Sequence, residues 1–144
     1  MFCREHEPRL RRALSAAYGP AVGVDACAEA MAYLWQHRER VLPMANPVGY
    51  LYRVGQTAAR RLRRPEPPLF APRPIDGVPE VEPRLLELLV RLSESQRVCV
   101  VLVHAYGFSQ QEVADVLGVE HSTVRTHLAR ALARLRAELE VDRA

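Results

Sequence analysis

The sequence predicts an all-α protein, two small helical bundles joined by a proline-rich linker. Three observations lead there. Apolar residues recur at helical spacing on both sides of the chain's middle. Between them, residues 65–83 (PEPPLFAPRPIDGVPEVEP) hold seven prolines and no helical period. Such a composition gives a semi-extended connector. The third observation is the stretch Ser109 to Arg136, which reads as a short helix, a tight turn and a longer helix.

Length and composition fit this reading. A chain of 144 residues allows one domain or two small ones, and 49% hydrophobic residues with few aromatics suit packed helices. The longest apolar run, Val98 to Ala105, contains His104 and falls short of the roughly 18–20 residues of a membrane span. No membrane insertion is expected. The first residues carry acids and lead into no apolar segment, so no export signal is expected. With three scattered cysteines, this points to a reducing cytosol and a cytoplasmic protein.

The first helix is expected over residues 2–18, with Leu10, Leu14, Ala17 and Tyr18 on its apolar face, ending near Gly19-Pro20. A second is expected from about Asp25, its cap, through Trp35 to about Val41, with Cys27, Met31 and Leu34 inward. Pro43 closes it, and a loop follows. Pro47 suits the first position of a third helix carrying Val48, Leu51, Tyr52 and Val54. Beyond the linker, Arg84 to Leu92 forms a short helix, and Ser93 caps another that Gly107 ends.

Ser109 and Glu112 have the spacing of a capping box, in which each side chain satisfies the other's backbone amide. Val113, Ala114 and Leu117 make one apolar face, and Gly118 supplies the left-handed residue that ends this helix. In the next helix Val124, Leu128, Ala131, Leu132, Leu135 and Leu139 form one stripe. Thr126 and Arg130 lie nearly opposite it. Thr123, His127 and Arg134 flank that outer face on one side, Arg125 and Arg136 on the other. Ser122, Thr123, Thr126, His127 and Arg130 include no acid. One face packs and the other is free, as in a helix-turn-helix whose second helix enters a major groove.

Charge is distributed unevenly. Residues 1–64 hold eleven arginines against five acids, and residues 84–144 balance. Every basic residue is arginine, a bias that a GC-rich genome also produces. From Pro47 to Arg64 there is no acid, while Arg53, Arg60, Arg61, Arg63 and Arg64 share this stretch with Tyr50 and Tyr52. The helix macrodipole favours cations at its C-terminus, but five arginines in twelve residues exceed that need. A nucleic-acid surface accounts for both charge and aromatics. Cys3, Cys27 and Cys99 make no metal-ligand spacing, and no carboxylate pair, phosphate loop or nucleophile motif stands out. Neither catalysis, a metal nor a cofactor is expected.

Two separated blocks resemble one family. LSESQRVCVVLVHAYGFSQQEVADVLGVEHSTVRTHLARALARLRAEL resembles region 4 of bacterial sigma-70 factors, particularly the extracytoplasmic-function (ECF) group. ANPVGYLYRVGQTAARRLRR resembles that group's region 2.3–2.4, and VDACAEAMAYLWQHRERV its region 2.2. The resemblance implies a region 2 module over 1–64, a linker over 65–83 and a region 4 module over 84–144. Region 2 would dock on the RNA polymerase β′ clamp through Asp25, Glu29 and Trp35. It would open the −10 element through the Leu42–Asn46 loop, with Asn46, Tyr50, Arg53, Gln56, Arg60, Arg61, Arg63 and Arg64 against DNA. Region 4 would read the −35 element through Ser122, Thr123, Arg125, Thr126, His127, Arg130 and Arg134, and touch the β-flap. Promoter DNA and polymerase core would then be the partners of a chain monomeric when free, and many relatives also have an anti-sigma partner. Gln56-Thr57 departs from the family's usual Arg-Asn, and Glu120 occupies its usual Ser/Thr cap position. The alternative is a free-standing helix-turn-helix regulator that binds DNA as a dimer.

Overall fold

A computed structural model describes residues 2–62 and 83–143. The linker expected over 65–83 therefore lies outside the described residues, apart from Pro83. Every regular element among the described residues is a helix, and the helices fall in two clusters. The first holds α1 (Phe2–Tyr18), α2 (Pro20–Gln36), the single turn α3 (Arg38–Val41) and α4 (Pro47–Leu62). The second holds α5 (Pro83–Arg91), α6 (Glu94–Val100), α7 (Gln110–Leu117) and α8 (His121–Arg143).

In the first cluster, α1, α2 and α4 pack on one another around Leu10, Leu14, Cys27 and Leu51. Small buried residues (Ala13, Ala16, Ala26, Ala30, Ala59) line these contacts and let the helix axes approach closely. The second helix differs from its expected bounds. It starts at Pro20, so Asp25 lies inside it rather than capping it. Gly19, at φ 91°, makes the sharp turn out of α1, and Pro20 enters the new helix where no amide bond is lost. That helix also stops at Gln36, and His37 separates it from α3.

The second cluster forms around Val98, Leu102, Val113, Val124, Leu128 and Leu135, all buried. Two capping boxes set its helix starts. Ser93 Oγ accepts the Gln96 amide at 3.2 Å, and Ser109 Oγ accepts the Glu112 amide at 3.0 Å, with the reciprocal bond made in each case. The α6 helix runs on into a π-helical turn over Val101–Ala105, closed by a Tyr106 amide bond to Val101 O. Gly118 ends α7 at φ 67°, ψ 37°, as its sequence position predicts.

The two clusters share a contact surface. Arg97 on α6 is buried, and its guanidinium donates to the carbonyls of Ala16 at 2.9 Å and Ala17 at 2.6 Å. These carbonyls belong to the last turn of α1, which has no helical donors left to satisfy them. Gly49 of α4 meets Gly118 at backbone distance: a Cβ built on Gly49 would lie 2.8 Å from Gly118 Cα. No helix among the described residues is long and apolar enough to cross a membrane.

Candidate nucleic-acid interface

The α7–turn–α8 unit sets its long helix by burying the stripe that the sequence marks. Val124 and Ala131 are wholly buried and Leu128 and Leu135 nearly so, while Leu132 and Leu139 are half-buried. The opposite face is open. Ser122, Arg125, Thr126, Arg130 and Arg134 are exposed, and Thr123 and His127 are half-exposed at its border. Thr126 donates its hydroxyl to Ser122 O at 3.0 Å, and Arg134 lies 3.6 Å from Glu138, one turn on. A continuous surface of hydroxyl, imidazole and guanidinium groups results, suited to phosphate oxygens and base edges.

On α4 the expected residues divide. Arg53, Arg60 and Arg61 are exposed, whereas Gln56 and Tyr50 are half-buried. Arg63 and Arg64 lie outside the described residues. The Tyr50 hydroxyl sits 3.1 Å from that of Tyr33 on α2, and the Tyr33 hydroxyl also accepts from Arg40. Its bond with Tyr50 is the main cause raising the Tyr33 phenol pKa. Asn46 holds the start of α4: its Oδ1 accepts the Gly49 amide at 3.1 Å. Its Nδ2 donates across the cluster boundary to Asp115 O at 2.7 Å.

Asp25, Glu29 and Trp35 are all exposed on α2. Asp25 and Glu29 stand one turn apart, as their spacing implies. Trp35 is 72% exposed, and the Arg38 guanidinium lies over its ring, 4.9 Å from the centroid. An indole this open in a folded chain is a ready contact for another protein. Glu29 pairs with Arg61. Thus the residues expected to face polymerase and those expected to face DNA meet along the α2–α4 junction.

Sequence reasoning missed Arg97, Arg9 and Glu94. Arg9 of α1 reaches Glu112 at 2.9 Å. Glu94 lies beside Tyr18, whose phenol pKa is pushed up to about 12 by burial first and by that carboxylate second. Their partners are distant in the chain, so local pattern carries no signal for them. Among the described residues, no cluster of His, Cys, Asp and Glu could hold a metal ion.

Residues 83–135 match the family model described as Sigma-70, region 4, a span that takes in α5 to α7 and most of α8. The chain is 48% identical over 56 residues to the RNA polymerase sigma-E factor of Streptomyces avermitilis, and 47% over 55 residues to that of Streptomyces coelicolor. These matches cover 39% and 38% of this chain and 31% of each relative, so the chain aligns with about a third of their length. Likeness of fold extends further. The sigma factor RpoE of Bartonella quintana, solved with the anti-sigma factor NepR, superposes at a TM-score of 0.68 and 21% identity, over 97% of this chain and 95% of that one. CnrH, solved with the cytosolic domain of CnrY, superposes at 0.57 and 25% identity, over 98% and 86%. The chain is thus similar in sequence, over residues 83–135, to sigma-70 region 4, and in fold, over nearly its whole length, to the solved sigma factor RpoE.

Proposed function

We propose that this chain is a transcription initiation factor that binds RNA polymerase core and directs it to promoters with −10 and −35 elements. The observation that carries the reading is the open face of α8, with no acid among Ser122, Thr123, Thr126, His127 and Arg130, opposite a stripe buried at Val124, Leu128, Ala131 and Leu135, within a segment that matches sigma-70 region 4. In this reading residues 84–144 hold the −35 duplex. Ser122, Thr123, Arg125, Thr126, His127, Arg130 and Arg134 then line the major groove and its phosphates. Residues 1–64 seat on the polymerase through Asp25, Glu29 and Trp35, and engage the −10 element through the Asn46 loop, Tyr50, Gln56 and the arginines of α4 and its end. Residues 65–83 join the two units.

The chemistry is binding alone. Melting the −10 duplex costs a few kcal/mol per extruded base. Stacking on Tyr50, at roughly 1–3 kcal/mol per base, and phosphate contacts from Arg53, Arg60 and Arg61 offset that cost. Polymerase contacts add the remainder, and the polymerase supplies catalysis. The chain acts in the cytoplasm with that enzyme. An anti-sigma partner is part of this reading, supported by the anti-sigma complexes in which the similar folds were solved. The test is run-off transcription with purified core enzyme on a genomic promoter library. Promoter-dependent transcripts that need this chain are expected, and their absence at saturating chain would refute the proposal.

A further inference from the structure

We infer that Tyr33 is a positioning residue that sets the Tyr50 ring and the Arg40 guanidinium as two halves of one nucleotide site, the ring for an unpaired base and the cation for its phosphate. This rests on the reading of Tyr50 as a residue that stacks on the opened −10 strand. The three side chains come from α2, α4 and α3, and they meet at one atom. The Tyr33 hydroxyl lies 3.1 Å from that of Tyr50 and accepts from Arg40. A tyrosine ring has a single polar handle, its hydroxyl, by which a neighbour can fix its direction. Tyr33 holds that handle for Tyr50.

Tyr33 is itself fixed. Leu34, next to it, is buried in the first cluster. The His37 ring lies one turn on, 4.3 Å away between centroids and tilted by 38°. Arg40 sits over the Tyr33 ring, 5.8 Å from its centroid. The Tyr33 and Tyr50 rings meet at 6.1 Å and 47°, tilted rather than stacked, so Tyr33 steers Tyr50 without covering its face. Arg40 is exposed, on a turn that the fully buried Val41 anchors. Among the described residues its side chain is engaged by Tyr33 alone, through the hydroxyl and the ring. One acceptor leaves most of the guanidinium N–H donors for a phosphate. An aromatic face beside a cation is the pairing that binds single strands. Fixing both before DNA arrives spares the cost of ordering two side chains on binding.

The experiment loads the full chain onto core enzyme and titrates a forked duplex with a mixed-sequence, six-nucleotide single-stranded overhang. In a set of probes, 2-aminopurine takes each overhang position in turn. Tyr33→Phe removes one oxygen and no charge, and should weaken binding about threefold to tenfold. The double variant Tyr33→Phe/Tyr50→Phe should bind no more weakly than Tyr33→Phe, because both changes remove the same link. At saturating DNA, where affinity no longer matters, the 2-aminopurine that Tyr50 quenches should brighten in Tyr33→Phe. Arg40→Ala should lower the slope of log affinity against log salt by about 0.7 of a unit. Unchanged affinity or unchanged quenching in Tyr33→Phe, additive losses in the double variant, or an unaltered slope for Arg40→Ala would each overturn the inference. Tyr50→Ala separates it from the reading beneath it. If Tyr50→Ala loses affinity and quenching while Tyr33→Phe keeps both, the inference alone fails. If Tyr50→Ala behaves like the parent, or no form binds the fork, the −10 role of Tyr50 falls with it.

Discussion

Glu29 on α2 holds Arg61 on α4 through a carboxylate–guanidinium contact across 32 residues of sequence. Both side chains are largely exposed, so the pair contributes little to stability. Its interest is positional: it ties the acidic edge of the first cluster to its arginine track. In the proposed reading, DNA at α4 would compete with Glu29 for Arg61, and a basic partner surface at α2 would release it.

That arrangement bears on salt dependence. Replacing Arg60 and Arg61 together by alanine should lower the slope of log affinity against log salt by up to about 2 units. Fluorescence anisotropy over a salt series checks this. An unaltered slope would mean that these side chains are only solvated.

The open face of α8 makes a sharper claim about single residues. Arg130→Ala should weaken binding to a −35 duplex by about 1–3 kcal/mol if its guanidinium reads a base. The substitution sits on the exposed face, so the melting temperature should stay put. Equal binding by parent and variant would exclude Arg130 from base contact.

Acid sensitivity follows from the α7 cap. The Ser109 backbone amide, its hydroxyl and, more weakly, Arg9 hold the Glu112 carboxyl below its usual range. A carboxylate with a lowered folded pKa stabilises the fold above its unfolded value of about 4.3, and that contribution disappears as pH falls through the folded value. Glu112→Gln keeps a side chain able to complete the box. The variant should be less stable than the parent at pH 7, and the gap should narrow as pH falls below about 4.3. Thermal melts over that range decide it.

Thiol reactivity offers a check on burial. Burial pushes the Cys27 thiol up to about 12 and the Cys99 thiol up to about 11, whereas Cys3 is exposed. At pH 8 a small alkylating reagent should modify Cys3 rapidly and the other two only after unfolding. Fast labelling of Cys99 in the native chain would contradict the packing of α6.

Leu102 sits fully buried where α6 becomes the π-helical turn. Leu102→Ala should cost about 2–5 kcal/mol by the lost transfer energy and the cavity left behind. Urea unfolding measures it. A loss well under 1 kcal/mol would mean that the turn collapses onto the gap.

The amino-acid sequence by itself determined the helices whose ends are written in adjacent residues. Ser109 with Glu112, Ser93, Gly118 and Pro47 act within four positions of the backbone groups they satisfy, so their effects are legible without a fold. The buried stripe of α8 was legible for the same reason, because helical periodicity is local. The α2 start was not: Pro20 and Asp25 are both valid entries, and the turn at Gly19 decides between them through packing on α1. Nor was the contact surface between the clusters. Arg97 bonds carbonyls 80 and 81 residues away, and Asn46 bonds one 69 residues away. Contacts of that separation depend on which surfaces meet once the chain has closed its long loops, and only the tertiary structure settles that choice.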